Sequence, residues 1–223
     1  EPIAALLSRK TGRPIKLTMT RAEVLQATGP TCGSYVRVKM GVTRGGRITA
    51  AEAYLVYESG AYPTRHGAAQ SGVVFTPYDV ANQLGEGFDV VDNKPTTEAY
   101  RAPCAPMVAL AVECVIDELC ESLGMDPIEF RMLNAASPTS RKTNGTRYGH
   151  MGLNETLEAV RSHPHYSAER FGKHTGRGVA IGFWGNGAGP SSVVASVLGD
   201  GTVNLLGGSV DIGGLRTVVA QQF

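Results

Sequence analysis

Three stretches of this sequence hold the residues with the most chemical potential. The first is Glu98-Ala99-Tyr100-Arg101-Ala102-Pro103-Cys104-Ala105-Pro106. An arginine flanked by prolines ahead of a helix start sits on a stiff loop. Its guanidinium there either holds an anion or a carbonyl, or forms a structural salt bridge. Cys104 lies near the same helix N-terminus, a position that lowers a thiol pKa, but no base follows it in sequence. The second stretch, Gly182 to Pro190, places the only tryptophan, Trp184, beside Phe183 in a glycine-rich loop. This aromatic pair either walls a pocket for a flat substrate or caps a strand end. The third, Gly207-Gly208-Ser209-Val210-Asp211-Ile212-Gly213-Gly214, lies between a strand and a helix. Backbone N–H groups at a helix start, together with the helix dipole, favour an anion such as phosphate. A plain structural turn is the other reading. The spacing matches neither GxGxxG nor GxxxxGK[ST], so dinucleotide and P-loop sites are not indicated.

Other chemistry is poorly supported. The 4 cysteines stand at 32, 104, 114 and 120, with no Cys-x-x-Cys from which to read a zinc ribbon or iron–sulfur cluster. Cys114 and Cys120 read as small apolar residues on a helix. His163, His165 and His174 fall in a polar stretch without helical or strand register, and read as a solvated loop. No Ser-His-Asp set or carboxylate pair stands out. Lys+Arg of 21 against Asp+Glu of 20 leaves a net charge of +1, which argues against a nucleic-acid surface. No apolar run reaches the ~18 residues of a membrane span, and no signal-peptide pattern opens the chain. The default is a reduced, cytoplasmic protein.

The elements that must position these residues follow from periodicity and caps. Residues 2–10 read as a helix stopped by Gly12 and Pro14, and Ile15–Met19 as a short strand. Thr20 and Glu23 form a capping box for a helix from Arg21. Tyr35–Val42 alternates, with Val36, Val38, Met40 and Val42 on one face. Arg44-Gly45-Gly46-Arg47 turns it into a partner strand over 48–58. Residues 59–82 read as irregular, and Leu84–Val91 as a strand. Pro106 opens the strongest helix. Its apolar stripe is Ala109, Val112, Ile116, Leu119 and Leu123, with Glu113, Asp117 and Glu121 opposite, and Gly124 stops it. Asp126 and Glu129 form a capping box for a short helix to about Asn134. Residues 135–152 read as a linker, Asn154 caps a helix to Ser162, and 178–184, 191–198 and 202–206 read as strands. Leu215–Phe223 is a helix. Such mixing without strict alternation indicates an α+β fold, with mixed sheets and flanking helices. The chain opens without an initiator Met and closes inside a helix, so it reads as an internal fragment of a longer protein.

Taken together and in order, several segments resemble one family. Lys10-Thr-Gly-Arg-Pro and Thr20-Arg-Ala-Glu come first. Glu98-Ala-Tyr-Arg-Ala-Pro follows, then the helix through Glu113 and Asp117-Glu118-Leu119, then Leu123-Gly-Met-Asp-Pro-Ile-Glu-Phe-Arg131 and Asn134. Gly178-Val-Ala-Ile-Gly-Phe-Trp, Asp200-Gly-Thr-Val and Gly208-Ser-Val-Asp-Ile-Gly-Gly close the set. This is similar to the molybdopterin-binding large subunit of the xanthine dehydrogenase, aldehyde oxidase and carbon monoxide dehydrogenase family.

The resemblance implies parts of two molybdopterin-binding subdomains, 1–150 and 151–223. It implies a molybdenum hydroxylase that oxidises an aldehyde or N-heterocycle with oxygen from water. Electrons would pass to an iron–sulfur small subunit carrying [2Fe–2S] and to a medium subunit carrying FAD. Arg101 resembles the catalytic loop arginine, flanked by Tyr100 and Ala102 at the cofactor. Phe183 and Trp184 fall at the substrate pocket wall, and Gly213 and Gly214 at the pterin loop. The pterin dithiolene, not the protein, would hold molybdenum. The family's catalytic Glu is expected beyond Phe223, and an upstream glycine-rich Phe loop before Glu1, so the isolated fragment is expected to be inactive. Two departures stand out. Gly213-Gly214-Leu215 lacks the Gln of the usual Gly-Gln-Gly. Ala102 replaces the Cys that carbon monoxide dehydrogenases carry, with Cys104 two residues on, so carbon monoxide is not the expected substrate. The other reading is a non-redox or inactive remnant of the same fold that binds a ligand without molybdenum chemistry.

Overall fold

The computed structural model describes residues 2–99, 101–169, 172–185, 189–208 and 213–222. The fold is α+β, and the chain divides into two compact units, Glu1–Phe183 and Trp184–Phe223.

The first unit is organised by a three-stranded mixed sheet. Strand β1 (Ser34–Val42) pairs antiparallel with β2 (Ile48–Gly60), and β2 pairs parallel with β3 (Asn82–Val91). The expected alternation holds. Val36, Val38 and Met40 stand opposite Leu55, Ala53 and Ala51 on one face. That face meets α4 (Ala105–Leu123) through Val108, Val112, Ile116 and Cys120. Fully burying each aliphatic side chain of this layer stabilises the fold by roughly 1.5–3 kcal/mol. On the other face, Arg37 and Phe88 flank the Tyr54 ring, their distances to its centroid being 5.4 and 5.2 Å.

Helix α1 (Pro2–Thr11) ends at Gly12 as expected, and α2 (Arg21–Ala27) carries both halves of its capping box. Residues 15–19 are not a strand, because they lie outside both sheets and have no strand to pair with. The region expected to be irregular contains α3 (His66–Ser71), within the crossover that links the parallel strands β2 and β3. Its cap is remote. The Asp89 carboxylate of β3 accepts from the N–H groups of His66 (2.9 Å) and Gly67 (3.1 Å) and from Thr64 Oγ1 (2.8 Å). Main chain then packs on main chain. A Cβ on Gly87 would stand 2.0 Å from the Gly67 carbonyl oxygen, so glycine is required there.

Gly124 stops α4 in the left-handed conformation, and Asp126 caps α5 (Pro127–Leu133) by accepting from Ile128 and Glu129 N–H. Among the described residues Glu129 does not reach back to close the expected box. Helix α6 (Leu153–Ser162) starts after Gly152 rather than on an Asn154 cap, and α7 (Pro164–Ser167) is a single turn that begins at His163. Residues 178–184 form no strand; the Ile181 N–H donates instead to a side-chain acceptor, Glu113. In the second unit, β4 (Val193–Val197) and β5 (Val203–Gly207) form an antiparallel hairpin, followed by α8 (Leu215–Gln222). Among the described residues no helix is long and apolar enough to cross a membrane.

Candidate functional site

Helix α4, which follows the Arg101 loop, is anchored by a buried brace. Glu113, expected on the solvent face of α4, is buried, with 4% of its surface exposed. It sits one turn before Ile116 and one after Ala109, inside the stripe that faces the core. Its Oε2 accepts from Arg131 Nε (2.9 Å) and from the Ile181 N–H (2.8 Å), and its Oε1 accepts from the Tyr78 hydroxyl. Arg131, wholly buried, also donates to Asp117 Oδ1 (2.8 Å) and the Pro127 carbonyl (3.1 Å). Burial acts against the Arg131 charge, but the Asp117 and Glu113 carboxylates outweigh it and hold its pKa above the ordinary range. Burial and the Glu113 charge push the Tyr78 phenol upward. A charge in so dry a place persists only when paired and hydrogen-bonded on every side. One residue thereby ties α4 to α5 and to the 178–183 segment.

Asn134 is the second brace. Its amide donates to the Gly46 carbonyl (2.8 Å) and the Phe130 carbonyl (2.9 Å), and its side-chain oxygen accepts from Ile48 N–H (2.9 Å). Arg47 adds a bond from Nη1 to the Leu133 carbonyl (2.7 Å). The β1–β2 turn and α5 are therefore fixed to each other. In the sequence, Arg131 and Asn134 stand only as letters of a motif. The available signal was Glu113 occupying an apolar position of the helical stripe.

Between β3 and α4 the chain makes a tight, unusual turn. Ala102 and Cys104 both have left-handed backbones, with φ of 57° and 62°. Non-glycine residues in that region cost of order 1–3 kcal/mol each and persist only where the surroundings hold them. Here Gln70 Nε2 donates to the Pro103 carbonyl (2.8 Å), and Ala105 N–H donates to the Ala102 carbonyl (3.0 Å). Upstream, Thr97 N–H bonds the Ser59 carbonyl and Glu98 N–H the Pro30 carbonyl, each at 3.0 Å. The result presents Arg101 exposed at the surface, on a loop whose downstream side chain, Cys104, is buried. Tyr100 lies outside the described residues.

Cys104 does not have the lowered pKa expected from the helix start. Burial first, then the neighbouring Cys32, pushes its thiol upward. The fold brings Cys32, His66 and Cys104 together, with one possible ligand atom from each lying within 4.8 Å of the others. Of the two helix cysteines, Cys120 is buried and Cys114 exposed.

Phe183 is half-buried and faces a shallow groove with Val74, Val108, Val112 and Ile181, while Lys142 Nζ stands 5.7 Å from its ring centroid. Trp184 begins the second unit, 50% exposed. A larger cleft, of about 490 Å³, lies at Asp117, Cys120, Met125, Asp126, Tyr166 and Arg177, and none of the expected site residues lines it. His163 accepts from the His165 N–H at its own helix turn, and the three-histidine stretch forms no metal-type cluster among the described residues.

In the second unit, Gly213 and Gly214 have φ of 119° and 80° ahead of α8. Gly214 takes the first helical bond, from Val218 N–H (3.1 Å), and a Cβ placed on it would meet nothing within 4 Å. Residues 209–212 of this loop lie outside the described residues.

Comparison with known proteins adds four findings. A family model described as a molybdopterin cofactor-binding domain matches residues 1–135. The aldehyde oxidoreductase of Megalodesulfovibrio gigas is 30% identical over 220 residues, which is 92% of this chain and 24% of that protein. The putative xanthine dehydrogenase molybdenum-binding subunit XdhA of Escherichia coli K12 is 30% identical over 239 residues, 99% of this chain and 32% of that one. The solved aldehyde oxidoreductase from Desulfovibrio gigas superposes with a TM-score of 0.73 at 26% identity, covering 91% of this chain and 24% of that structure. The chain thus spans about a quarter to a third of the length of the relatives it matches.

Proposed function

The chain belongs to the molybdopterin-binding family of xanthine dehydrogenases and aldehyde oxidoreductases, and on that premise we propose that it is part of a molybdenum hydroxylase. The family match over residues 1–135 carries this reading. The parent enzyme oxidises an aldehyde or an N-heterocycle in the cytoplasm. It passes electrons to [2Fe–2S] and FAD groups on an iron–sulfur small subunit and a flavin medium subunit. When bound, the molybdenum cofactor supplies two-electron oxidation that uses oxygen from water.

The residues present fit such a group, taken unit by unit. In the first, Arg101 is exposed on a loop whose backbone is fixed at both ends. Its planar fork of donors suits an anionic or carbonyl oxygen, and a preset loop loses little on binding. The resemblance assigns Tyr100 and Ala102, the neighbours of Arg101 in sequence, to the cofactor as well. Phe183 supplies aromatic surface beside α4. In the second unit, Gly213 and Gly214 have positive φ ahead of a helix start, and a Cβ on Gly214 would meet nothing within 4 Å. That is the backbone form that admits a phosphate-bearing pterin. Trp184 supplies exposed aromatic surface for a flat substrate.

The test uses the complete protein that contains this chain. Purified protein is assayed for molybdenum and pterin, then for oxidation of aromatic aldehydes and N-heterocycles with a dye acceptor in 18O-labelled water. The expected result is bound cofactor and label in the product. Arg101→Gln should lower kcat/KM on the order of 10²-fold, with molybdenum content retained. A protein that binds a heterocycle but holds no molybdenum or pterin would replace this reading with the non-redox one.

A further inference from the structure

We propose that Cys32 and Cys104 are a redox pair that a hydroperoxide closes into a disulfide, tying the Arg101 loop to the start of β1. The two sulfurs stand 2.7 Å apart, although 72 residues separate them in sequence. Non-bonded heavy atoms rest at about 3.5–4.0 Å. Two thiolates on one tetrahedral zinc ion, each at ~2.3 Å, would stand about 3.8 Å apart. The observed spacing is shorter than either and lies towards a covalent bond of ~2.05 Å.

The approach is held by main chain on both sides. Pro30 accepts from Glu98 N–H, and Glu58 N–H donates to the Gly33 carbonyl, each at 3.0 Å. Cys104 is fixed by its left-handed turn and by Gln70 on the adjoining Pro103 carbonyl. Among the described residues the other polar contact of the pair is Met107, whose Sδ lies 4.0 Å from Cys32 Sγ. The groups facing the pair are His66, Tyr57 and Asp89.

The chemistry balances with a hydroperoxide alone. One cysteine sulfur attacks the terminal oxygen of the hydroperoxide, so that its S–H bond and the O–O bond break, an S–OH bond forms, and water leaves from hydrogen peroxide or the alcohol from an organic hydroperoxide. His66 is the near base for the thiol proton. The second thiol then displaces the hydroxyl as water, and the S–S bond forms. The pair gives up two electrons, which the peroxide oxygens accept. Both cysteines are about 95% covered, at 4% and 5% exposure, so a small oxidant is required and a bulky one is excluded. The closed form would fix the turn three residues from Arg101, and a dithiol reductant would release it. This inference does not depend on the cofactor reading, because it is read by counting thiols.

The experiment treats the chain with dilute hydrogen peroxide, then denatures it in N-ethylmaleimide and maps peptides by mass spectrometry. Of the 4 cysteines, Cys32 and Cys104 should escape alkylation together and appear in one linked peptide, lighter by two hydrogens than the sum. Dithiothreitol should restore both, and Cys114→Ser should leave the linkage intact. Two results overturn the proposal. One is full alkylation of both residues after treatment that oxidises the exposed Cys114. The other is about one zinc or copper ion per chain that blocks both thiols until a chelator removes it. In that case the buried Tyr57 hydroxyl, which lacks a hydrogen-bond partner, would donate to a metal-bound thiolate.

Discussion

The two units show the same sequence signal meeting different fates. In the first, the alternating residues of β1 and β2 and the stripe of α4 close on one another, so that Leu55 and Ile116 are wholly buried. In the second, β4 and β5 alternate as plausibly, yet none of their described residues is buried. Val193 is 62% exposed, Val197 75% and Leu206 74%. Apolar patterning states which residues require cover, not whether the nearest forty positions provide it. Polar groups divide in the same way. The first unit keeps a carboxylate and a guanidinium out of water, bonded on every side, whereas Asp200 in the second satisfies a turn N–H at the surface (Thr202, 2.9 Å).

The sharpest way to break this comparison is to remove the charge at the centre of the first unit. Glu113→Ala leaves Arg131 buried beside Asp117 alone and strips the acceptor from Tyr78 and Ile181. Removing one partner of a buried pair costs about 3–5 kcal/mol. Urea denaturation should show a loss of that size. Replacing both partners, as Glu113→Leu with Arg131→Met, should recover much of it, because no stranded charge remains. A single-variant loss below about 1 kcal/mol would mean that the brace does not organise the unit.

What the sequence displayed, and what it concealed, follows from where each partner lies. The β1–β2 hairpin, α4 with its Gly124 stop, the Thr20 capping box and the glycine turn before α8 all rest on neighbours within a few residues, and all were legible. Helix α3 was not, because its cap, Asp89, belongs to a strand 23 residues from His66. Residues 178–183 satisfied the strand pattern but bond a side chain 68 positions earlier. At the candidate site, the stiffness around Arg101 was readable from its prolines. The left-handed Cys104 and its contact with Cys32 were not, since nothing local announces a partner 72 residues away. Nor does Cys104 show the lowered pKa of a helix start, because burial is the larger effect and pushes its thiol upward.

A smaller effect tests that remote cap. Asp89→Ala removes the acceptor from three donors at the start of α3. Losing a helix cap costs about 1–2 kcal/mol. Beyond this, amide hydrogen exchange over residues 66–71 should quicken more than exchange in α4, since the lost bonds hold only the short helix. Uniform quickening across both helices would show that α3 opens only with the whole unit, and the division between local and remote support would lose its force.

The smallest expected effect is the one that most directly sets the two units apart. Leu206 stands opposite Val194 in the hairpin register, as Leu55 stands opposite Val36 in the first unit. A fully buried leucine cut to alanine costs about 2–5 kcal/mol, through lost transfer energy and the cavity left behind. Leu206→Ala in this chain should stay within about 0.5 kcal/mol, because a side chain 74% exposed leaves no cavity and was never removed from water. What remains is the cross-strand contact with Val194, worth a few tenths of a kcal/mol. Thermal denaturation of the 223-residue chain reads the difference. A loss above about 2 kcal/mol at Leu206 would mean that the hairpin is covered in solution, by a second copy or by another part of the molecule. Repeating the measurement across protein concentrations separates those two, since cover by a second copy gives a denaturation midpoint that rises with concentration.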